Sequence, residues 1–198
     1  MNYLIRGIIN KDEAYSQRLV DGYSWHQFLW KLFPGMDGKE RPFLFRIDEK
    51  ESFFQTYLLS DIKISHPDWG KWDTKEVSDA FLSHSIYKFQ LKANPTKRLS
   101  MKDGKDDGKR VGLYTQDELK QWLIRKSEQS GFRADSFSIS APMSEFFNRK
   151  DMKNKLNRVD YEGVLEVTDR EKFKNAFYNG IGSAKSMGFG MLIIQAIS

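Results

Sequence analysis

The sequence predicts an α+β protein in which one order of secondary structure occurs twice. In each half of the 198-residue chain, apolar segments typical of strands alternate with stretches that carry helical spacing or helix caps. The order in both halves is strand, helix, strand, strand, helix, strand. This is the order of the ferredoxin-like fold, which RNA-recognition modules share. We therefore expect tandem ferredoxin-like (RRM-like) domains, each with a βαββαβ antiparallel sheet.

The first domain is predicted at residues 1–95. Asp21 favours the N-cap of its first helix, and Pro34 follows the end of that helix. The charged turn at residues 49–52 joins two strands as a hairpin. The predicted elements are a strand at 3–9, a helix at 22–33, strands at 43–48 and 53–60, a short helix at 75–82 and a strand at 86–95.

Residues 96–110 interrupt the apolar patterns and predict a flexible, basic linker. Its cations could contact a polyanion, but a run of charge can equally face water without a partner. They are Lys97, Arg98, Lys102, Lys105, Lys109 and Arg110.

The second domain is predicted at residues 111–198. Thr115 and Glu118 have the spacing of a capping box, and Thr168 or Asp169 caps the last helix. The predicted elements are a strand at 111–114, a helix at 116–129, strands at 137–147 and 158–167, a helix ending at Tyr178 and a strand at 191–197.

Composition limits the possible chemistry. The chain has no cysteine, which excludes disulfides, a thiol nucleophile and cysteine-ligated zinc. The formal charge of +5 favours a polyanionic partner. The sequence contains no long apolar segment, and its first residues do not resemble a signal peptide, so we expect a soluble, cytoplasmic protein without a membrane partner.

A glycine-rich loop at residues 180–190 precedes the last strand. Such a loop can turn backbone N–H groups, together with Lys185, toward a phosphate chain. The alternative is a tight connection between helix and strand whose lysine faces water. The spacing is neither that of a nucleotide-triphosphate loop nor that of a dinucleotide-binding fingerprint.

His26 is the histidine whose position suggests chemistry. It lies three residues after Tyr23 on one helix face, near the positive end of the helix dipole, which opposes imidazolium formation. A neutral imidazole is what a general base requires. The alternative is a histidine satisfied between helix and sheet. The spacing of the three histidines predicts no metal site.

A second candidate is the basic loop between the strands at 137–147 and 158–167. A dense group of cations suits a phosphate backbone and the shape-based recognition of RNA hairpins. The alternative is a hairpin tip that is only solvated. The cations of this loop are Arg149, Lys150, Lys153, Lys155 and Arg158.

These motifs together resemble the CasE family of CRISPR repeat-RNA endoribonucleases of type I-E systems, nearly from end to end. The glycine loop in its final position is the most specific of them. The residues that carry the resemblance are Tyr23-Ser-Trp-His26-Gln-Phe-Leu-Trp-Lys-Leu-Phe-Pro34, Phe43-Leu-Phe-Arg46, Leu91-Lys-Ala-Asn-Pro-Thr-Lys-Arg98, Lys109-Arg-Val, Tyr161-Glu-Gly163 and Gly180-Ile-Gly-Ser-Ala-Lys-Ser-Met-Gly-Phe-Gly190.

The resemblance implies a metal-independent endoribonuclease that needs no cofactor. Such enzymes bind the stem-loop of repeat RNA and cut once at the 3′ base of the stem. The 2′-hydroxyl attacks the scissile phosphate, leaving a 2′,3′-cyclic phosphate and a 5′-hydroxyl. Family members keep the product RNA and join the other subunits of the multisubunit interference complex.

The resemblance also implies roles for particular residues. His26 matches the catalytic histidine, acting as base or acid, and Tyr23 matches a tyrosine that assists it in some members. Arg149 and Lys150 fall in a basic hairpin that enters the RNA groove. Lys185 is expected to contact the RNA backbone, and Lys31 could stabilise charge on the phosphate. A non-catalytic RNA-binding subunit is the main alternative, and a DNA-binding or scaffolding protein is a more distant one.

Overall fold

The computed structural model contains eleven strands and four α-helices among the residues it describes, which are 1–36, 39–99, 108, 110–149 and 152–197. The side chains of residues 148, 149 and 152–154 are outside this description. The first half comprises β1 (Tyr3–Asn10), α1 (Lys11–Ser16), α2 (Gly22–Trp30), β2 (Phe43–Glu49), β3 (Phe53–Ser60) and β4 (Lys71–Glu76). The second half comprises β5 (Ile86–Ala93), β6 (Thr96–Arg98), β7 (Arg110–Gly112), α3 (Gln116–Gln129), β8 (Phe132–Ile139), β9 (Met143–Arg149), β10 (Met152–Val167), α4 (Arg170–Asn179) and β11 (Leu192–Ala196).

The first sheet has the strand order β2-β3-β1-β4 with every pair antiparallel. This is the ferredoxin-like order, in which the first and third strands are central. Trp25 and Leu29 of α2 are buried in one core with Ile5, Phe45 and Leu58 of the sheet. The helix that carries His26 is thus held by apolar packing on one side, because burial of these side chains favours only one orientation.

The second sheet has the order β11-β5-β10-β8 and a complete βαββαβ succession through α3 and α4. Trp122 of α3 and Phe173 of α4 share its core with Tyr87, Phe89 and Tyr161. The expected tandem ferredoxin-like architecture is therefore confirmed.

The short helix predicted at residues 75–82 is wrong. Strand β4 occupies Lys71–Glu76 and pairs with β1, so that Gly7 lies opposite Trp72. A Cβ atom at Gly7 would come within 2.7 Å of the Trp72 ring, so glycine makes room for the indole. The described part of the first half therefore lacks the second helix of its fold, and residues 61–70 join β3 to β4 as a loop.

The strand at 86–95 was expected to close the first sheet, and this is also wrong. Strand β5 is central in the second sheet, between β10 and β11, and buries Tyr87, Phe89 and Leu91. In the second sheet, β5 occupies the position that was expected for the predicted strand at 111–114. The division at residues 95 and 111 stays a prediction, and we propose that the second domain begins before Ile86.

Local pairing changes two further boundaries. The predicted strand at 137–147 is two strands, β8 and β9, separated by residues 140–142, where Pro142 has no N–H to donate to a sheet. Strand β9 pairs with the long β10 as a hairpin. Both ends of the predicted linker are also paired, as the short ladder of β6 with β7.

Candidate active site and nucleic-acid interface

The N-terminus of α2 presents Tyr23 and His26 in its first two turns. As predicted, Asp21 is the N-cap: its carboxylate accepts a hydrogen bond from the Ser24 N–H at 2.8 Å. The Ser24 hydroxyl accepts one from the Asp21 N–H at 3.0 Å, which completes a capping box. The helix therefore begins at a fixed residue, and this fixes the directions of its side chains.

The imidazole of His26 lies among aromatic rings. Its ring centre is 5.9 Å from that of Trp30, 6.2 Å from that of Phe43 and 6.2 Å from that of Phe45. Tyr23 and His26 are both partly exposed, so neither is lost in the core. His26 combines a ring held by its neighbours with access for a ligand, which are two requirements of a general acid or base.

The glycine loop folds back onto this helix. Residues Lys185–Met187 form a short 3-10 turn, and a Cβ atom at Gly22 would lie 2.9 Å from the Met187 carbonyl oxygen. Gly188 has a φ of 85°, and a Cβ there would lie 3.1 Å from the Phe45 ring. Glycine at these two positions allows the glycine loop to contact both the helix of His26 and the strand β2 that carries Phe45.

Hydrogen bonds fix the glycine loop at both ends. The Ile181 N–H donates to the Gly190 carbonyl, and the Gly190 N–H donates to the Lys92 carbonyl, each at 2.8 Å. The Ser183 hydroxyl donates to the Asn94 carbonyl at 3.0 Å. The loop is thereby tied to the end of β5, so it is the predicted helix-to-strand connection and also a support for α2.

Lys185 is half-buried and lies in a cationic region. Burial lowers its pKa, and the positive charges of Arg41 and Lys126 lower it further. Burial likewise lowers the pKa of Lys126, with smaller contributions from Arg125 and Arg110. Lys185 is therefore partly desolvated and lies within electrostatic reach of two other cations.

A groove beside this cluster brings several predicted residues together. Four of them line or flank it: Lys97, Arg98 and Arg110 from β6 and β7, and Lys185 from the loop. Arg125 and Lys126 of α3 also line it, and the sequence reasoning had missed them. The signal available was their position on the amphipathic α3, where they follow the buried Trp122 and Leu123.

Lys97 is the paired member of this set. Its ammonium is 2.8 Å from a Glu118 carboxylate oxygen. The hydrogen bond from Lys97, with another from Thr115, holds the pKa of Glu118 down at about 2. The predicted capping box of Thr115 and Glu118 is confirmed here, and it shares its carboxylate with the β6 lysine.

Arg158 lies away from the groove, in an ion network between the two sheets. It pairs with Asp160 at 2.7 Å and with Glu145 at 3.4 Å. Lys92, only 6% exposed, shares Glu145 at 3.3 Å and donates to the Ile47 carbonyl of the first sheet at 3.0 Å. Burial lowers the pKa of Lys92, whereas the Glu145 carboxylate raises it. These contacts give Arg158 a structural role at the junction.

The remaining predicted cations lie at the end of α2, on the β9–β10 hairpin or outside the described residues. Lys31 is exposed at the end of α2. The backbone of Arg149 and Lys153 belongs to the β9–β10 hairpin, but their side chains lie outside the described residues. Lys109 and Lys150 lie outside them altogether. Their predicted contacts with RNA stay predictions.

Among the described residues, no group of three or more histidine, aspartate and glutamate side chains is arranged to hold a metal ion. No helix in the same part of the chain is long and apolar enough to cross a membrane.

Fold and site together define a class: a tandem ferredoxin-like protein with a helix-borne histidine beside a cationic groove. A family model described as CRISPR associated protein matches residues 2–196. The chain therefore belongs to this family of CRISPR-associated proteins. It is 31% identical to the CRISPR system Cascade subunit CasE of Escherichia coli, over 98% of this chain and 100% of that one.

Further relatives agree. The CRISPR-associated endoribonuclease Cse3 of Thermus thermophilus is 27% identical, with 97% of this chain and 99% of the relative covered. A structure of Cse3 bound to 19 nt RNA matches with a TM-score of 0.81 at 25% identity, covering 98% and 100% of the two chains. The crystal structure of Escherichia coli Cas6e matches with a TM-score of 0.76 at 29% identity, over 98% and 100%.

Proposed function

We propose that this protein is an endoribonuclease that binds the stem-loop of CRISPR repeat RNA and cuts it at the 3′ base of the stem. The observation that carries the proposal is the placement of His26, partly exposed on a capped helix and adjoined by the cationic glycine loop. The names of the relatives support it, because Cse3 is named an endoribonuclease and has a structure described as an RNA pre-cleavage complex.

The proposed reaction is attack by the 2′-hydroxyl on the adjacent phosphorus. The bond from phosphorus to the 5′-oxygen breaks, leaving a 2′,3′-cyclic phosphate and a 5′-hydroxyl. His26 either takes the proton from the 2′-hydroxyl or gives one to the leaving 5′-oxygen. Tyr23, one turn earlier on α2, assists it by orienting a reacting group.

Positioning supplies much of the proposed rate. General acid–base catalysis contributes about 10²- to 10⁴-fold, and holding the 2′-oxygen in line with the leaving oxygen contributes a further large factor. Cations beside the phosphate stabilise the charge that develops in the transition state. In this reaction His26 transfers one of the two protons, water exchanges the other, and the cations offset the developing charge, so we propose that it requires no metal ion.

The proposed complex places the RNA along the cationic groove between the β6–β7 ladder, α3 and the glycine loop. The β9–β10 hairpin would extend from the second sheet to contact the stem. Since CasE is named a Cascade subunit, we further propose that this protein retains its product and assembles with the other subunits of such a complex.

The test is incubation of the protein with its candidate repeat RNA in excess EDTA. We expect a single cut, and product ends with a 2′,3′-cyclic phosphate and a 5′-hydroxyl. Tight binding without cleavage, with or without added Mg²⁺, would support the alternative of a non-catalytic RNA-binding subunit. Cleavage that stops in EDTA and returns with Mg²⁺ would overturn the metal-independent reaction.

A further inference from the structure

Arg41 is a partly buried arginine with no acidic partner among the described residues. Its Nε and Nη1 atoms are buried and have no hydrogen-bond partner. Its guanidinium carbon lies 5.7 Å from the centre of the Phe43 ring. Buried donors without acceptors are costly, so an arginine in this state is suited to receive an acceptor from a ligand.

Arg46, five residues further along the chain, provides a comparison, because it is an arginine with a structural role in this protein. It is 7% exposed, and its Nε donates to both oxygens of Asp48 at 2.8 and 3.0 Å. Asp160 lies 4.0 Å from its Nη2. Among the described residues, carboxylates lie beside Arg46, although its Nη1 is also buried without a partner, and none lies beside Arg41.

The surroundings of Arg41 are cationic instead. Its positive charge lowers the pKa of Lys185, as does that of Lys126. Burial lowers the pKa of Arg41 itself. Arg41 and Lys126 thus each repel Lys185, and an anion bound beside Lys185 would reduce this cost.

The cluster adjoins His26. The Phe43 ring that contacts Arg41 is 6.2 Å, centre to centre, from the imidazole. The loop of Lys185 packs on Phe45, whose ring is also 6.2 Å from the imidazole. An anion held by Arg41 and Lys185 would thus lie beside the group that transfers the proton.

We propose that Arg41 binds the scissile phosphate, donating hydrogen bonds from its guanidinium to the non-bridging oxygens, with Lys185 as the second cation. This inference rests on the proposed function. A guanidinium matches two phosphate oxygens in one plane and stays protonated throughout. As the 2′-oxygen bonds to phosphorus and the 5′-oxygen leaves, charge builds on those oxygens, and Arg41 stabilises it.

The test is a thermodynamic cycle that combines the Arg41 substitution with a change at the phosphate, measured as binding of RNA that cannot be cut. The repeat RNA carries a 2′-deoxy sugar at the cleavage site and, at the adjoining phosphate, either the normal group or an uncharged methylphosphonate. For the wild-type protein we expect the methylphosphonate to weaken binding by about tenfold or more, because charge-assisted hydrogen bonds are lost. For Arg41→Ala we expect the methylphosphonate to weaken binding only slightly. An equal loss in both proteins would overturn the inference.

The control is Arg6→Ala, which removes the same charge from an exposed position of β1. It should behave as the wild type in the cycle. Arg41→Lys keeps the charge but not the planar pair of donors, so we expect its binding to depend only partly on the charge of the phosphate. If Arg41→Ala does not fold, Arg41→Lys and Arg41→Gln are tested in its place. If the wild type cuts ordinary repeat RNA but the cycle shows no coupling, only the role of Arg41 fails. If the wild type does not cut at all, the proposed function fails first.

Discussion

The two halves of the molecule share one strand order but differ in what surrounds their sheets. The described part of the first half lacks the second helix of its fold and presents α2, with its N-terminus and His26 partly exposed. The second half has both helices, and adds the β6–β7 ladder, the β9–β10 hairpin and the glycine loop, which carry most of the cations considered above. We therefore propose that the first half carries the catalytic histidine and that the second half binds the polyanion.

The halves meet at the site through the glycine loop. This loop belongs to the second half, yet its 3-10 turn contacts Gly22 of α2 and its Gly188 contacts Phe45 of β2. The buried Lys92 and its partners join the same two sheets on a neighbouring surface. The proposed binding surface in one half and the proposed catalytic histidine in the other are therefore connected by fixed packing.

The largest expected effect separates the halves most clearly. His26→Ala removes the proton-transfer group but no predicted phosphate contact. We expect the single-turnover cleavage rate to fall by about 10²- to 10⁴-fold, while the RNA affinity stays close to that of the wild type. The control is Gln27→Ala, the exposed neighbour on the same helix, which should cut normally. Cleavage by His26→Ala at the wild-type rate would contradict the assignment of His26.

A second prediction concerns the contact between the halves. Gly22→Ala introduces a Cβ atom 2.9 Å from the Met187 carbonyl oxygen, so α2 and the loop must move apart. A displacement of about 1 Å can cost about 10²-fold in rate. We expect slower cleavage and little change in the thermal midpoint or in RNA affinity. An unchanged cleavage rate would show that the loop does not position α2.

The third prediction addresses binding alone. Arg149→Ala with Lys150→Ala should weaken stem-loop affinity and reduce the slope of log affinity against log salt by about two, roughly one for each lost phosphate contact. Lys63→Ala with Lys71→Ala removes the same charge from exposed positions of the first half and should leave the slope unchanged. A salt slope equal to wild type in the hairpin variant would argue that these cations are only solvated.

The smallest expected effect is on stability in acid. The pKa of Glu118 is held at about 2, below its ordinary value of 4.5, chiefly by Lys97. The carboxylate therefore stabilises the folded protein fully above about pH 5, and this contribution is lost as the pH falls toward 2. We expect the stability difference between wild type and Glu118→Gln to shrink over that range. A stability difference that does not change with pH would contradict the pairing of Glu118 with Lys97. Arg98→Ala, which leaves this pair intact, serves as the control.

The parts that sequence predicted well depend on local chemistry. The caps at Asp21, Thr115 and Asp169 each satisfy backbone N–H groups within three residues, so a short stretch defines them. The position of β5 depends instead on β10 and β11, more than sixty residues away. Its alternating pattern suits either sheet, and only the packing of the whole chain decides between them.

The same distinction applies to the site. His26 could be found because it shares a helix face with Tyr23 and because the family resemblance includes it. Arg41 has no such pattern, since an arginine before a strand is common in sequences of every class. Its proposed role rests on the lack of a carboxylate partner among the described residues and on the electrostatic effect of Lys185, which the fold brings from the other end of the chain.

The division between cutting and binding can be tested directly with single-turnover cleavage of repeat RNA measured over increasing protein concentration. We predict that Arg149→Ala with Lys150→Ala reaches the wild-type maximum rate but needs more protein, because only its affinity is reduced. His26→Ala should bind at wild-type concentrations and remain slow at saturation. If the hairpin variant stays slow at saturating protein, or if saturation restores the rate of His26→Ala, the assignment of binding to one half and cutting to the other is wrong.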